Sequence, residues 1–183
     1  NLVFQQYHAD QEAYRSTLYP FTRNAVSAMD YGPVFFNHRF AKTNDSGTIR
    51  RTTDAFQLAT SVLFQSPIQH FGITPNNLVE QPDYILDFMR KVPTVWDETK
   101  FIAGYPGKYC VLGRRYGDKW YVVAVNATKE KLNLTFSFVP LEGKKVSWVY
   151  DNKDRTAGYK EVEIGETITL KIEPEGGSVI YTP

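Results

Sequence analysis

The hydrophobic periodicity of this chain changes once, at residues 92–100. Before that segment the apolar residues recur at helical spacing, and after it they alternate with polar residues over short stretches. Pro93 has no backbone N–H and disfavours a helical conformation for the residue before it, so the preceding helix is predicted to end at Lys91. We therefore expect a helical part, residues 1–102, joined to a β-rich part, residues 103–183.

Seven short strands are predicted in the β-rich part, because apolar and polar residues alternate there between turn signals. The predicted strands are residues 108–115, 119–127, 131–138, 145–151, 159–164, 167–172 and 177–182. No helical pattern separates them, which indicates an antiparallel β-sandwich of about 80 residues.

Two helices are predicted before the junction. Thr52, Thr53 and Asp54 are suited to cap the first, which is apolar on most faces and should end or kink at Pro67. Pro82 fits the first turn of the second helix. The packed side of that helix is predicted to carry Ile85, Leu86 and Met89.

A short apolar run, residues 25–29, ends abruptly at Asp30. Such a run is typical of a buried parallel strand. In a barrel of alternating strands and helices, the residue at the carboxyl end of a strand faces the active-site mouth, so Asp30 is a candidate for contact with a substrate. The alternative, which the sequence favours equally, is that Asp30 caps the turn formed by residues 31–33.

Two other sets of reactive side chains have simpler interpretations. His8, Asp10 and Glu12 alternate, so they could ligate a metal if that segment were extended, but a solvated loop is the favoured interpretation because nothing fixes their geometry. Cys110 is the only cysteine and lies in an apolar, strand-like run. It is therefore predicted to be buried and without a catalytic role.

The composition gives no sign of a nucleic-acid or membrane partner. The 21 basic and 20 acidic side chains leave a net charge of +1, which provides no attraction to polyanions. No apolar run approaches the roughly 18 residues of a membrane span. Aromatic residues make up 15% of the chain, a proportion that suits both sugar-binding surfaces and large cores.

Three segments of the chain together resemble one protein family. They are Leu18-Tyr19-Pro20-Phe21-Thr22-Arg23 with Met29-Asp30-Tyr31, the helix from Ala55 to Pro67, and Val92-Pro93-Thr94-Val95-Trp96-Asp97-Glu98-Thr99. In this order they are similar to the carboxyl-terminal part of glycoside hydrolase family 97, which contains the SusB-like α-glucosidases and α-galactosidases of gut Bacteroidetes. The resemblance extends over nearly the whole chain.

The resemblance implies an α+β chain in two parts. Residues 1–102 would be the terminal βα portion of a (β/α)8 barrel, and residues 103–183 an antiparallel β-sandwich of the type linked to oligomerisation. A complete barrel takes about 250 residues, so either the chain is a fragment of a longer parent polypeptide or the rest of the barrel lies on another chain. The resemblance places the main catalytic carboxylates upstream of Asn1, and this chain alone is predicted to be inactive.

The same resemblance implies properties of the parent protein. It would hydrolyse oligosaccharides that are α-glucosides or α-galactosides, with two carboxyl groups acting on the glycosidic bond. It would be periplasmic or secreted, and homo-oligomerisation is expected through the β-sandwich.

Family members also hold a calcium ion near the catalytic acid through glutamates. The resemblance places that motif before Asn1, so no metal ligand is assigned in this chain, and Glu12 is not given the acid role because its surroundings do not match. The family usually has Gly-Pro-Met-Asp-Tyr-Thr-Pro-Gly where residues 27–34 of this chain read Ser-Ala-Met-Asp-Tyr-Gly-Pro-Val. This departure leaves the preferred sugar open.

Trp96, Asp97 and Glu98 are predicted to form a structural junction. Asp97 and Glu98 match the family's motif, but adjacent carboxylates point to opposite faces of a strand, so capping and pairing with basic neighbours is favoured over catalysis. Trp96 is predicted to act as a wedge between the two parts of the chain.

A non-catalytic module that binds carbohydrate or a partner subunit is the alternative function. Its sugar platform would comprise Trp120, Tyr121, Trp148 and Tyr150. Trp148 and Tyr150 share one strand face, and the favoured interpretation of these two is that they belong to the core.

Overall fold

The computed structural model describes residues 5–183 of an α+β chain in which short helices precede an antiparallel β-sandwich. The helices are α1 Gln6–Asp10, α2 Glu12–Ser16, α3 Arg23–Val26, α4 Asp54–Leu63, α5 Asn77–Glu80 and α6 Asp83–Lys91. The strands are β1 Glu98–Tyr105, β2 Tyr109–Tyr116, β3 Lys119–Asn126, β4 Leu132–Phe136, β5 Lys145–Asp151, β6 Ala157–Glu163, β7 Ile168–Ile172 and β8 Gly177–Tyr181. Among residues 5–183, no helix is long and apolar enough to cross a bilayer.

The strands form two antiparallel sheets. Six of them pair in the order β1-β2-β3-β8-β5-β6, and β4 pairs with β7 alone. All seven predicted strands are confirmed, with bounds within two residues of the prediction. Strand β1 is an eighth strand and is not among the seven predicted ones. Its charged residues Glu98 and Lys100 interrupt the apolar alternation, and it is half-exposed at the edge of the sheet. Strand β1 crosses residue 103, where the β-rich part was predicted to begin.

The six-stranded sheet is buried on both faces. One face packs against α4 and α6 in a first core, which includes Phe56, Phe88, Leu112, Val123 and Val179. The other face packs against the β4-β7 sheet in a second core, which includes Val111, Val122, Trp148, Leu170 and Ile180. Because successive side chains of a strand point to opposite faces, the central strands must be apolar almost throughout, and β3 is buried from Trp120 to Asn126.

Helix α4 is the best enclosed of the helices. All its residues from Asp54 to Leu63 are buried. The predicted cap is confirmed, because the Thr53 side chain accepts a hydrogen bond from the Phe56 N–H at 3.0 Å. The helix ends at Leu63, before Pro67, and Phe64 is already extended.

The amino end of α4 is attached to the β-sandwich. The Thr53 hydroxyl donates to the carboxylate of Asp151 at the end of β5. Asp151 also accepts hydrogen bonds from the backbone N–H groups of Glu173 at 3.1 Å and Gly177 at 2.9 Å. A single partly buried carboxylate therefore joins the cap of α4 to two segments of the sandwich.

Glycine lets α4 approach the sheet closely. A Cβ atom added at Gly177 on β8 would lie 2.5 Å from Cα of Phe56, closer than side-chain carbons approach backbone. Any other residue at this position would push the helix away from the sheet.

An ion pair is buried beside the same helix end. Arg50 and Asp54 are in contact, and Arg50 also donates hydrogen bonds to the backbone carbonyls of Phe36, Asn37 and Thr52. The guanidinium is thus both paired and hydrogen-bonded, which is what burial of a charge requires.

The predicted helix before the junction is confirmed, and the predicted strand at residues 25–29 is wrong. Helix α6 begins after Pro82 and ends at Lys91, with Ile85, Leu86, Phe88 and Met89 buried. Residues 25–29 instead contain the end of α3 followed by a segment outside any strand, in which the Met29 N–H donates to the Gln65 carbonyl, and Val26 is 85% exposed. A parallel strand needs neighbours, and within residues 5–183 the only parallel pairing near this run is the bridge between Tyr31 and Gln69.

Asp151 provides a test of the attachment of α4. Replacing it in the variant Asp151→Asn removes acceptor capacity for the two backbone N–H groups, so we expect the free energy of unfolding to fall by about 1–3 kcal/mol. Urea unfolding of the variant and of Asp118→Asn, a change in an exposed turn, measures the difference. A loss no larger than that of Asp118→Asn would contradict the role of Asp151.

The pH dependence of unfolding tests the same group. Burial raises the pKa of Asp151 from its ordinary 3.8 to about 6, against the opposing effect of its three hydrogen bonds. Because this pKa is higher in the folded chain, the contribution to stability is complete below about pH 4 and is lost as the pH rises through about 6. Asp151→Asn should therefore flatten the stability profile between these two pH values.

Candidate functional site

A cavity of about 820 Å³ lies beside α2, the segment 30–42 and the segment 72–74. We call it the amino-terminal cleft. Its charged lining residues are His8, Glu12, Arg15, Asp30 and Lys42. Its aromatic lining residues are Tyr19, Tyr31, Phe35 and Phe40. Apolar walls with a few polar groups are typical of small-molecule sites, and aromatic faces with carboxylates suit a sugar ring.

Glu12 is held at the wall of the cleft by α4. Gln57 Nε2 donates to Glu12 Oε1 at 2.7 Å, and the Thr52 hydroxyl donates to Oε2 at 3.0 Å. Gln57 is in turn fixed by the Phe35 N–H, which donates to its side-chain oxygen at 2.9 Å. Burial raises the pKa of Glu12, opposed by the Gln57 hydrogen bond and the charge of Arg50. A carboxyl group with a raised pKa in a cleft is a candidate for function.

Asp30 lines the same cleft but is exposed. Among residues 5–183 its carboxylate forms no hydrogen bond or ion pair, so it does not cap the turn at residues 31–33. The structure thus brings Asp30 and Glu12 to one cavity, although they belong to different segments. Asp30 lies at the mouth of a cavity as predicted from the sequence, whereas Glu12 was not expected there.

The aromatic wall of the cleft also depends on α4. Tyr31 and Tyr19 both pack edge-on against Phe64, with ring centroids 4.4 Å and 5.7 Å apart. Phe64 directly follows the last residue of α4 and is fully buried. The position of both tyrosine rings is therefore set by the carboxyl end of this helix.

The metal alternative for His8, Asp10 and Glu12 is not supported in the described part of the chain. They lie on α1 and α2 and not in a loop as expected, and each has separate partners. His8 is bonded to Arg15, Asp10 to Arg51 and Gln6, and Glu12 to Gln57 and Thr52. No group of three metal-ligating side chains occurs in residues 5–183. These residues do not fit a calcium ion, which takes six to eight oxygen ligands.

The predicted junction residues lie at the start of β1. Trp96 is partly buried against the first core and packs edge-on against Tyr121, with ring centroids 5.2 Å apart. Asp97 accepts a hydrogen bond from the Gly117 N–H at 2.7 Å. Arg115 lies within ion-pair distance of both Asp97 and Glu98, at 3.5 Å and 3.2 Å. These contacts connect the entry to β1 with the turn between β2 and β3.

The alternative of a sugar platform on the β-sandwich is not supported for three of its four residues, and the favoured interpretation of Trp148 as a core residue is confirmed. Trp120, Tyr121 and Trp148 are buried, and Trp148 Nε1 donates to Ser178 at 2.8 Å inside the protein. Only Tyr150 keeps part of its ring accessible.

Cys110 is buried as predicted, and burial raises the pKa of its thiol to about 12.

Comparison with known proteins identifies relatives of the chain. Residues 95–182 match the domain family described as glycosyl-hydrolase 97 C-terminal, oligomerisation. The chain is 36% identical over 117 residues to the retaining alpha-galactosidase of Bacteroides thetaiotaomicron, covering 62% of the chain and 17% of that protein. It is 31% identical over 166 residues to a "Probable retaining alpha-galactosidase" of Streptomyces bingchenggensis, covering 88% of the chain and 24% of that protein.

Solved structures show the same architecture. A beta-arabinopyranosidase superposes with a TM-score of 0.95 and 47% identity over 100% of the chain, which corresponds to 29% of that protein. A family 97 enzyme from Pseudoalteromonas sp. in complex with panose superposes with a TM-score of 0.76 and 27% identity, over 92% of the chain and 28% of that protein. The chain thus spans about a quarter of the length of these relatives.

Substitution of two neighbouring residues tests which interaction holds the junction. The variant Trp96→Ala should lower the free energy of unfolding by about 2–4 kcal/mol, because it removes a large ring that is packed on Tyr121. Asp97→Asn should cost less than about 1 kcal/mol, since that carboxylate is exposed and retains one acceptor oxygen. Thermal unfolding of both variants measures the two losses of stability. A larger loss in Asp97→Asn than in Trp96→Ala would mean that charge and hydrogen bonds hold the junction.

Proposed function

Because the chain belongs to glycoside hydrolase family 97 as its carboxyl-terminal part, we propose that it completes a longer glycosidase by supplying the β-sandwich and one wall of the sugar-binding cleft. The observation that carries this proposal is the convergence of Glu12 and Asp30 on a cavity with aromatic walls. A cavity of this size accommodates one or two sugar rings.

The chemistry proposed for the parent enzyme is glycoside hydrolysis with two carboxyl groups. The main catalytic pair is proposed to lie in the remainder of the parent polypeptide. In this chain, the exposed carboxylate of Asp30 is free to accept hydrogen bonds from sugar hydroxyls. Glu12 is held rigidly by Gln57 and Thr52, so it presents a fixed edge of the cleft to the substrate.

The proposed substrates have the hydroxyl arrangement of galactose. Two relatives are named as retaining alpha-galactosidases, and the relative with 47% identity is a beta-arabinopyranosidase. The L-arabinopyranose ring matches galactose in its hydroxyl groups and lacks only the C6 hydroxymethyl group. The enzyme bound to panose, an oligosaccharide of glucose, is 27% identical to this chain. We therefore place α-galactosides and β-L-arabinopyranosides ahead of α-glucosides.

The environment and assembly of the parent are part of the same proposal. We propose a periplasmic or secreted enzyme that forms a homo-oligomer through the β-sandwich. The domain family that matches the β-sandwich is described as an oligomerisation domain. If the parent holds calcium, its ligands would come from outside residues 5–183, and no step of the chemistry proposed for this chain depends on the ion.

This chain alone should not hydrolyse aryl α-glucosides or aryl α-galactosides. Hydrolysis needs two carboxyl groups placed on either side of the glycosidic bond, and the proposed pair is not in this chain. The test is release of the coloured phenol by the purified chain, with Asp30→Asn as the control variant. Turnover that disappears in Asp30→Asn would contradict the prediction.

The parent enzyme should prefer the galactose arrangement. We expect kcat/KM for an aryl α-galactoside or β-L-arabinopyranoside to exceed that for the matching α-glucoside by at least about 10-fold, equivalent to about 1.4 kcal/mol in transition-state binding. Initial rates with the three substrates measure this ratio. Faster hydrolysis of the α-glucoside would refute the substrate assignment, and no hydrolysis of any of them would refute the glycosidase proposal.

A further inference from the structure

Arg114 is a buried cation without an ionic partner in the described part of the chain. It lies on β2, on the face that packs against α4, and is 4% exposed. Its Nη2 donates to the backbone carbonyl of Leu63 at 3.2 Å, and its guanidinium lies 5.9 Å from the centre of the Trp96 ring. Among residues 5–183 it forms no salt bridge. Its neighbour Arg115, by contrast, is paired with Asp97 and Glu98.

The contacts of Arg114 compensate only part of its charge. Leu63 is the last residue of α4, and the carbonyl end of a helix carries about half a negative charge. A guanidinium has five N–H donors. Its Nε is buried without an acceptor, as is Nε1 of the adjacent Trp96. This place in the structure therefore has surplus donors and surplus positive charge, a costly combination inside a protein.

Burial affects Arg114 but does not neutralise it. It lowers the pKa of Arg114 to about 10, against the opposing effect of Cys110, and the guanidinium has no carboxylate partner among residues 5–183. The side chain therefore remains charged at neutral pH. A positive charge persists in an apolar surrounding formed by Cys110, Leu112 and Phe101.

A small cavity lies against this guanidinium. Its volume is about 230 Å³, and its polar lining residues include Arg114, Gln65 and Thr99. Phe21, Phe101 and Leu112 provide apolar walls. None of its lining residues is acidic, whereas the amino-terminal cleft contains Glu12 and Asp30.

We propose that this cavity binds a small monovalent anion of the chloride class against the guanidinium of Arg114. One anion in contact with the guanidinium supplies the charge that the α4 carbonyl end and the Trp96 ring leave uncompensated. A water molecule would accept the hydrogen bonds but would leave the charge. The apolar walls favour a weakly hydrated anion such as chloride or bromide over a strongly hydrated divalent one.

The position of the anion gives it a structural effect. Arg114 contacts the carboxyl end of α4 and the junction residue Trp96, and Phe64 beside that helix end supports the aromatic wall of the cleft. Bound anion would therefore stabilise the contact of the helical part with β2. The protein should be more stable in chloride than in a salt whose anion is too large for the cavity.

Thermal unfolding at constant ionic strength tests the proposal. Sodium gluconate is replaced stepwise by sodium chloride, and we expect Tm of the unsubstituted chain to rise with the logarithm of the chloride concentration above the Kd, by roughly 5 to 10 °C at about 100 times the Kd for chloride. The variant Arg114→Met removes the charge and should abolish this rise. The matched control Arg115→Met, which changes the paired neighbour, should retain it.

A second measurement keeps the test decisive if Arg114→Met does not fold. Crystals of the unsubstituted chain soaked in sodium bromide should show an anomalous-scattering peak within contact distance of Arg114. The proposal is overturned if Tm of the unsubstituted chain does not depend on chloride, if Arg114→Met responds as strongly as Arg115→Met, or if the cavity shows no bromide.

Discussion

The attachment of α4 to the β-sandwich is the constraint on which the rest of this structure depends. The Thr53 hydroxyl connects the first turn of the helix to Asp151, 98 residues further along the chain, and Gly177 removes the side chain that would hold the helix off β8. Because α4 is fully buried, its position decides how one complete face of the six-stranded sheet is covered. Displacement of this helix would expose the apolar side chains of β2, β3, β5 and β8, at about 25 cal/mol for each Å² of apolar surface.

One helix also connects three sites that lie apart in the sequence. Gln57 orients Glu12 at the cleft, Phe64 supports Tyr31 in the cleft wall, and the Leu63 carbonyl meets Arg114. The geometry of the cleft and the packing of the β-sandwich are therefore not independent. This arrangement gives a physical reason for the β-sandwich to remain in contact with the amino-terminal cleft, since the same buried helix forms a wall of the cleft and covers one face of the sheet.

Local sequence patterns predicted most of the strands and the longer helices. They failed where contacts with other elements determine whether a segment forms a strand. The strands from β2 to β8 were found because an exposed polar residue follows each buried one, or because apolar runs are bounded by turns. The strand predicted at residues 25–29 failed because this apolar run is not buried in a sheet: Val26 is 85% exposed, and among residues 5–183 no strand pairs with the run. Strand β1 was missed because an edge strand exposes charged residues that hide its period. The short helices at the cleft were missed because so few residues carry no detectable period.

The sequence by itself determined the type of most elements, the change from helices to strands at Pro93, and the family, because these depend on residues that are close in the chain. Only the tertiary structure decided the sheet order, in which β8 lies between β3 and β5. It alone brought Glu12 to Gln57, 45 residues away, and left Arg114 buried against Leu63, 51 residues away, without a carboxylate. Such contacts arise from the packing of whole elements, so no short segment of sequence encodes them.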